Sequence, residues 1–405
     1  MKIHVSKRTF RPRVILGLLA AALVMSAGLA VPQKAMAWGK HKPTGCDQAA
    51  RKMFSSCRLE SLEDYNATLA NCDNFYDRDE RNDCRRDARD ELRSANEECE
   101  EQFDERRGVC ELLDEDRYDP DPLTDRVFQD PDNPSVTNRY LSLTPGDTSI
   151  FRVYEDGEQT EEVIVVRVTD EIRYFYADEE SGYEGVPCRV VVDAAMEEGE
   201  DDEDGGTDYT ALELTDDWYA LDTEGNIYYC GELSRNYEDG TLTDLDGSFQ
   251  AGVEYAKGGT LLRAMFPGSG AADRQEYALG EAEDVVVYLN DETSPDEEIG
   301  YEPENPDFAC DDTCLETRDL NPNDPGGYEV KYYVPDVGFV LAAVYEGDAI
   351  EGDGEYIDER EELVCTFEGA MPDASALEDC GIEDGAELLE DLCELAPDAF
   401  CDDED

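Results

Sequence analysis

Carboxylates are the side chains through which this sequence could do chemistry. The chain has 405 residues and carries 103 Asp and Glu against 33 Lys and Arg, with only two histidines, for a net charge of −70 at pH 7. Paired carboxylates can serve as acid and nucleophile in glycoside hydrolysis. Clustered carboxylate and amide oxygens can bind Ca²⁺. These two chemistries define the hypotheses for a site.

Calcium is the metal that the sequence favours, with Asp130, Asp132, Asn323 and Asp324 as weak candidate ligands. Their oxygen atoms are of the type that Ca²⁺ prefers, although no stretch follows the twelve-residue order of an EF-hand. Asp and Asn also favour turns, so solvated turns on an acidic surface are the alternative interpretation. Apart from calcium, no cofactor is expected.

The scarcity of histidine excludes several reaction classes. Beyond the N-terminal targeting segment described below, His41 is the one imidazole, whereas Ser-His-Asp and Cys-His systems need an imidazole held in place. Most catalytic zinc sites need two or three histidines, and no Gly-rich phosphate loop follows a strand in a βαβ unit. We therefore expect no catalytic and no cofactor-binding residues, with a secreted carboxylate-dependent hydrolase as the alternative.

The net charge also bears on partners. A soluble domain normally carries a net charge of magnitude ~2–8, and a polyanion of this size does not hold nucleic acid or an anionic membrane by electrostatics. Cations are the expected counter-ions, and the composition is typical of halophilic adaptation. The ligand, the partner and the oligomeric state stay open.

The N-terminus has the form of a targeting segment. Basic residues precede an apolar run over residues 14–31, and Ala35-Met36-Ala37 has the small-x-small pattern of a signal-peptide cleavage site. We expect residues 1–37 to be removed and the protein to be exported, to the periplasm or outside the cell. An uncleaved transmembrane anchor is the alternative.

Six of the fourteen cysteines predict a helical hairpin over residues 44–112. Their spacings of 11, 15, 12, 15 and 11 form a palindrome, and each step returns to about the same face of a helix. Two antiparallel helices would place residue i opposite residue 156 − i, which sets Met53 opposite Phe103. The rule predicts three nested disulfides, Cys46–Cys110, Cys57–Cys99 and Cys72–Cys84. A zinc cluster is disfavoured because closely spaced cysteine pairs are absent.

The rest of the chain divides into three parts. Residues 113–137 read as an extended linker rich in Asp and Pro. Residues 138–367 show about a dozen strands joined by short turns, which predicts an antiparallel meander with a sandwich or barrel-like form. Tyrosines such as Tyr219, Tyr229 and Tyr333 alternate in these strands and are expected to pack in the core rather than to bind sugars. Residues 368–405 form an acidic tail, in which Cys380, Cys393 and Cys401 are expected to pair among themselves and with Cys365 around a short helix. The individual pairings of the remaining eight cysteines are left open: Cys188, Cys230, Cys310, Cys314, Cys365, Cys380, Cys393 and Cys401.

One hairpin carries a resemblance to a known family. Trp218-Tyr-Ala-Leu-Asp222 and Gly225-Asn-Ile-Tyr-Tyr-Cys-Gly-Glu232 flank a turn that can visit positive φ. With Lys331-Tyr-Tyr-Val-Pro-Asp-Val-Gly338, this pattern resembles a family of exported bacterial β-rich domains that have no assigned activity. The resemblance covers about residues 125–365 and implies fold and location only. It departs at Cys230, where the family more often has Phe, which suggests an additional disulfide.

These observations predict a mainly β exported protein with a disulfide-stapled α-hairpin and a binding, surface or structural role. A calcium-dependent adhesion or matrix component is a further alternative, alongside the secreted hydrolase.

The processing site is directly testable. Because Ala35-Met36-Ala37 is the cleavage signal, the mature chain should begin at Trp38. Intact mass of the exported protein measures this, and a retained Met1 would indicate the membrane anchor instead.

Overall fold

The fold is taken from a computed structural model that describes residues 44–177, 184–199, 208–238, 240–303, 305–382 and 384–401. Two antiparallel helices come first, α1 (Gly45–Cys72) and α2 (Arg78–Leu112). Thr44 and Asp47 form a capping box at the start of α1, and the Asp77 side chain accepts from two backbone N–H groups at the start of α2. Such caps satisfy donors that the first helical turn leaves unpaired.

Three disulfides cross the hairpin at successive levels. They join Cys46 to Cys110, Cys57 to Cys99 and Cys72 to Cys84. The predicted disulfide-stapled hairpin is therefore confirmed. Aromatic packing differs slightly from the rule of residue 156 − i, because the ring of Phe103 packs against Phe54 at 5.2 Å. Met53, the predicted partner of Phe103, points its methyl group at Gly280 of the β region.

A single antiparallel sheet accounts for most of the remaining structure. Its fifteen strands within the described residues are β1 (Thr148–Glu155), β2 (Glu158–Phe175), β3 (Val186–Glu198), β4 (Tyr209–Leu221), β5 (Ile227–Glu238), β6 (Thr241–Asp244), β7 (Phe249–Gln250), β8 (Lys257–Leu262), β9 (Ala272–Arg274), β10 (Glu276–Tyr277), β11 (Val285–Thr293), β12 (Cys314–Leu320), β13 (Gly327–Val334), β14 (Gly338–Glu346) and β15 (Glu355–Phe367). Consecutive strands pair along the two runs β1 to β5 and β11 to β15, and β15 returns to pair with β1. The predicted mainly antiparallel, barrel-like β structure is confirmed.

The sheet closes through the short segment that holds β9 and β10. β9 pairs with β11 at one end of the strand order, and β10 pairs with β8 at the other. Between them, the backbone N–H of Gln275 donates to the carbonyl oxygen of Asp284 at 2.8 Å. At this seam a Cβ on Gly259 would lie 2.3 Å from the carbonyl oxygens of Arg274 and Gln275. The missing side chain therefore lets the two backbone segments meet.

The central hairpin of the sheet has the predicted turn. β4 and β5 are joined by residues 222–226, where Gly225 has φ +89°. The buried Asp222 carboxylate accepts from the backbone N–H groups of Glu224 and Asn226 and from the Asn226 side chain. Asp222 is thus a turn residue with its oxygen atoms engaged.

The base of the α-hairpin is fixed to the barrel by a buried ion pair. Arg106 on α2 is 5% exposed and Glu283, before β11, is 1% exposed. The Arg106 guanidinium donates to both Glu283 carboxylate oxygens at 2.9 and 3.1 Å. Bidentate geometry of this kind compensates the desolvation of both charges, so it orients the hairpin on the barrel.

Residues 113–137 are packed along part of their length rather than free. Leu123 is 1% exposed, and the fully buried Arg189 of β3 donates to the Asp132 carboxylate at 2.8 Å and to the Pro131 carbonyl at 2.9 Å. Asp and Pro in this stretch therefore serve to attach it to the sheet.

The chain ends in three short helices, α3 (Ala374–Asp379), α4 (Gly385–Leu395) and α5 (Pro397–Phe400), which lie over the β2–β5 face of the sheet. Leu377, Leu388 and Phe400 are buried there in the same cluster as Trp218. The remaining disulfides join Cys188 to Cys230, Cys310 to Cys314, Cys365 to Cys380 and Cys393 to Cys401. In the described part of the chain, no helix combines the length and apolar character that a membrane crossing requires.

Closure of the seam can be tested with a pair of glycines. Gly259→Ala should destabilise the protein by at least about 2 kcal/mol, because the added methyl group collides with two backbone carbonyls that cannot move independently. Gly327→Ala, also in a strand, is the control, since its nearest heavy atom would lie 3.4 Å from the new Cβ. We expect its effect to stay within about 1 kcal/mol. Urea unfolding of both variants measures the difference, and equal midpoints would contradict a tight seam.

Candidate functional site: the acidic interior of the barrel

The strands of the barrel carry apolar residues on one face and carboxylates on the other. In β4, Leu214, Trp218 and Ala220 belong to the cluster covered by the C-terminal helices. Glu213, Asp217 and Tyr219 alternate with them and therefore project from the opposite face. The same alternation holds elsewhere, so the carboxylate-bearing positions of several strands share one face.

That face is the inside of the barrel. Asp193 on β3 is within electrostatic reach of Asp217 on β4 and also of Glu361 on β15. Glu232 on β5 is in turn within reach of Asp284, which precedes β11 at the far end of the strand order. The first approach spans three strands of the sheet and the second crosses the seam, so closure brings these side chains together on one face. The closed sheet therefore concentrates its carboxylates in a common interior.

Tyr229 links two of these carboxylates. Its hydroxyl donates to Glu232 Oε2 at 2.6 Å and also contacts Asp217 Oδ1 at hydrogen-bond distance. The Tyr229 hydroxyl has one proton, which it donates to Glu232. Its contact with Asp217 therefore requires a second proton, which the Asp217 carboxyl group supplies. The geometry therefore indicates that Asp217 and Glu232 share a proton with Tyr229 between them.

Burial explains why these carboxyl groups retain protons. Desolvation raises the pKa of Asp217 to about 6, despite hydrogen bonds that favour its ionised form. It likewise raises the pKa of Glu232 and of Glu276 well above the ordinary range, and neighbouring carboxylates add to the shift. Glu276 is 5% and Asp217 8% exposed. This end of the interior is thus a dry, proton-bearing cluster.

Lys331 supplies a positive charge at another point of the interior. Its Nζ lies 3.2 Å from Asp319 Oδ2 and 3.1 Å from Glu329 Oε2. Burial alone would lower the pKa of Lys331, but these two carboxylates outweigh burial and keep it raised. The Lys331 side chain is 27% and that of Glu329 46% exposed. Water therefore reaches this group more readily than the Tyr229 cluster.

Several carboxyl groups between these two points have pKa values near neutrality. Burial, followed by the approach of other carboxylates, raises the pKa of Glu162 to about 7. Burial also raises the pKa of Asp284 to about 7 and that of Glu361 to about 8, although Lys331 acts against both shifts. These raised pKa values place proton binding by the interior near neutral pH.

The predicted calcium ligands are engaged in other ways. Asp132 pairs with Arg189, and Asp130 accepts from the Asp132 backbone within a turn. Asn323 accepts from Arg106 at 2.5 Å through its side-chain oxygen. Asp324 lies at the end of the same turn, where partial desolvation of its carboxyl group raises its pKa. Among the described residues, no three His, Cys, Asp or Glu side chains are arranged to hold a metal ion. Calcium binding at these four positions stays a prediction.

Sequence reasoning did not identify the interior carboxylates. Tyr219, Tyr229 and Tyr333 are core residues of the sheet, as the alternation predicted. In the sequence, the acidic residues beside these tyrosines show the same alternation as the solvent-facing residues of an amphipathic strand. One available signal was that Asp217 and Glu232 lie within an aromatic-rich hairpin whose other face is also apolar.

Comparisons with known proteins add little beyond this geometry. No protein-family model and no curated protein matches the chain. Among solved structures, it is similar to a presumed exported protein with a YmcC-like fold from Bacteroides fragilis and to a presumed lipoprotein from Parabacteroides distasonis. Each is 12% identical and aligns over 57% of this chain and 100% of its own, with a TM-score of 0.27. A TM-score this low carries no argument about function, and the family resemblance of the central hairpin stays a prediction.

The interior makes stability depend on pH. Folded-state pKa values of about 6 to 8 exceed the unfolded values of about 4. The folded state therefore binds more protons than the unfolded state in this window, and stability falls as pH rises from 5 to 8. Glu361→Gln removes one of these groups, so it should stabilise the protein by about 1–3 kcal/mol at pH 8 and by much less at pH 5.

Thermal melts at pH 5 and pH 8 provide the measurement. Glu302→Gln is the matched control, because Glu302 is exposed and its removal should act equally at both pH values. A wild-type melting temperature that rises between pH 5 and pH 8 would contradict the crowded interior.

Proposed function

We propose that the protein is an exported, non-enzymatic protein with a binding or surface role. The observation that carries this proposal is the complete pairing of its fourteen cysteines in seven disulfides, with no free thiol. Structural disulfides form and persist in oxidising compartments and are rare in the cytosol. The signal-like N-terminus lies outside the described residues and supports the same location through its sequence.

The interior supports a structural rather than a catalytic role. Tyr229, Asp217 and Glu276 are each less than 10% exposed, so a substrate would have to displace core side chains to reach them. The cleft of about 560 Å³ at the base of the α-hairpin is lined by other residues. The net charge of −70 suits a protein that keeps its fold in saline surroundings, where cations screen repulsion between exposed carboxylates.

A secreted hydrolase is the second candidate. The observation in its favour is the Asp217–Tyr229–Glu232 arrangement, in which two carboxyl groups with raised pKa values lie on either side of one hydroxyl. Glycosidases use such pairs when a sugar can reach both groups. Nothing in the described residues favours a calcium-dependent adhesion role over the first proposal.

Thiol counting tests the oxidising compartment. Protein recovered after export should show no thiol on denaturation without reductant, whereas the same chain kept in a reducing cytoplasm should show fourteen. Loss of seven disulfides should lower stability severely, since each contributes about 2–4 kcal/mol. A reduced chain that melted at the same temperature as the exported protein would overturn the proposal.

The hydrolase alternative has its own control. The exported wild-type protein should show no turnover of polysaccharide substrates, and Asp217→Asn should therefore show none either. Turnover that is present in the wild type and abolished in Asp217→Asn, with folding intact by circular dichroism, would establish the hydrolase instead.

A further inference from the structure

A cleft of about 560 Å³ lies outside the barrel, where the base of the α-hairpin, the 113–137 segment and the start of β8 meet. Its lining includes Arg117, Tyr118, Tyr255, Lys257 and Tyr277. The volume falls within the range of ~300–1,000 Å³ typical of small-molecule sites, which often occur where separate structural units join. The acidic interior described above contributes no residue to it.

One tyrosine is presented at the rim of this cleft by an unusual turn. Tyr255 is 95% exposed, and it follows Glu254 in a pair of consecutive left-handed residues with φ values of 51° and 72°. The turn is held closed by the backbone N–H of Gly252, which donates to the Ala256 carbonyl at 2.8 Å. Left-handed conformations are unfavourable for residues with side chains and concentrate at functional sites. The conformation positions a ring that contributes nothing to the core.

Several contacts hold the inner wall of the cleft together. The rings of Tyr118 and Tyr277 lie 5.1 Å apart, and the Arg274 guanidinium lies 5.7 and 5.2 Å from their centres. Arg274 also pairs with Glu115 at 2.9 Å, and the Tyr118 hydroxyl donates to the Gly258 carbonyl at 2.8 Å. Since Arg274 already covers these two rings, Tyr255 offers the aromatic face that a ligand could use.

Charges around the cleft are largely balanced, unlike those of the whole chain. Besides the Arg274–Glu115 pair, Lys257 lies 3.3 Å from Asp119 and Arg117 lies 2.7 Å from Asp116. An anionic ligand would be opposed by the net charge of −70. A cationic ligand would find most nearby carboxylates already paired. The balance therefore favours an uncharged ligand that has an apolar face and several hydroxyl groups.

We propose that this cleft binds an uncharged saccharide, with one sugar ring against Tyr255. Hydroxyl groups of the sugar would accept from Arg117 and Lys257 and could donate to or accept from the Tyr277 hydroxyl along the wall. A tyrosine ring supplies a large apolar face at low cost in conformational entropy. The inference deepens the proposed binding role and names its ligand class.

The test is a titration of the full mature chain by isothermal calorimetry. The probes are four uncharged tetrasaccharides, of β-1,4-glucose, α-1,4-glucose, β-1,4-mannose and β-1,4-N-acetylglucosamine, with choline as a cationic comparison. At least one tetrasaccharide should bind, and Tyr255→Ala should weaken that binding at least tenfold. Tyr255→Phe should keep it within about threefold, because the ring face remains.

Tyr76→Ala is the matched control. Tyr76 is fully exposed in the turn of the α-hairpin, away from the cleft, so its removal should leave the affinity unchanged. Thermal melts should show that Tyr255→Ala folds as the wild type does, since an exposed ring adds no core packing.

Three outcomes would overturn the saccharide site: no tetrasaccharide binds, binding is unaffected by Tyr255→Ala, or choline binds and the sugars do not. Each would leave the thiol count of the exported protein untouched, so failure of this inference is distinguishable from failure of the proposed function.

Discussion

Closure of the sheet at Gly258 and Gly259 is the constraint on which the rest of the structure depends. A Cβ at either position would lie within 2.5 Å of a backbone carbonyl oxygen, so only glycine allows β8 to approach β5 and the 272–277 segment together. Once closed, the sheet has few free edges and encloses one face of every long strand. Polar side chains on that face can then meet only one another, Lys331 and water.

This enclosure explains the protonation chemistry of the interior. Carboxylates that would be solvated on an open sheet lie instead against Tyr219, Tyr229 and one another, where ionisation of all of them is unfavourable. The Tyr229 hydroxyl contacts both Asp217 and Glu232 but has one proton to donate, so one of the two carboxyl groups holds a proton. The barrel therefore keeps polar groups in its interior by holding protons rather than by matching each acid with a base.

The parts of the fold that the sequence predicts are those that depend on local spacing. Cysteine intervals specify the helical hairpin, and the Asp222–Asn226 turn specifies the central β4–β5 hairpin. The interior carboxylates depend on closure, which brings together β3, β5, β11 and β15 from distant parts of the chain. No local pattern distinguishes a polar face that the barrel encloses from one that faces solvent. Likewise, Asp132 reads as a metal ligand until the buried Arg189 is placed beside it.

The cover formed by residues 371–400 has a consequence for how the protein is assembled. Trp218, Val190 and Leu214 lie under helices that emerge only after all the strands of the sheet when a chain is delivered N-terminus first. Until then, an apolar surface across β2–β5 is exposed, and such surfaces promote aggregation of incomplete chains. Completion of the fold therefore depends on delivery of these helices. A chain truncated before them would expose the apolar surface across β2–β5.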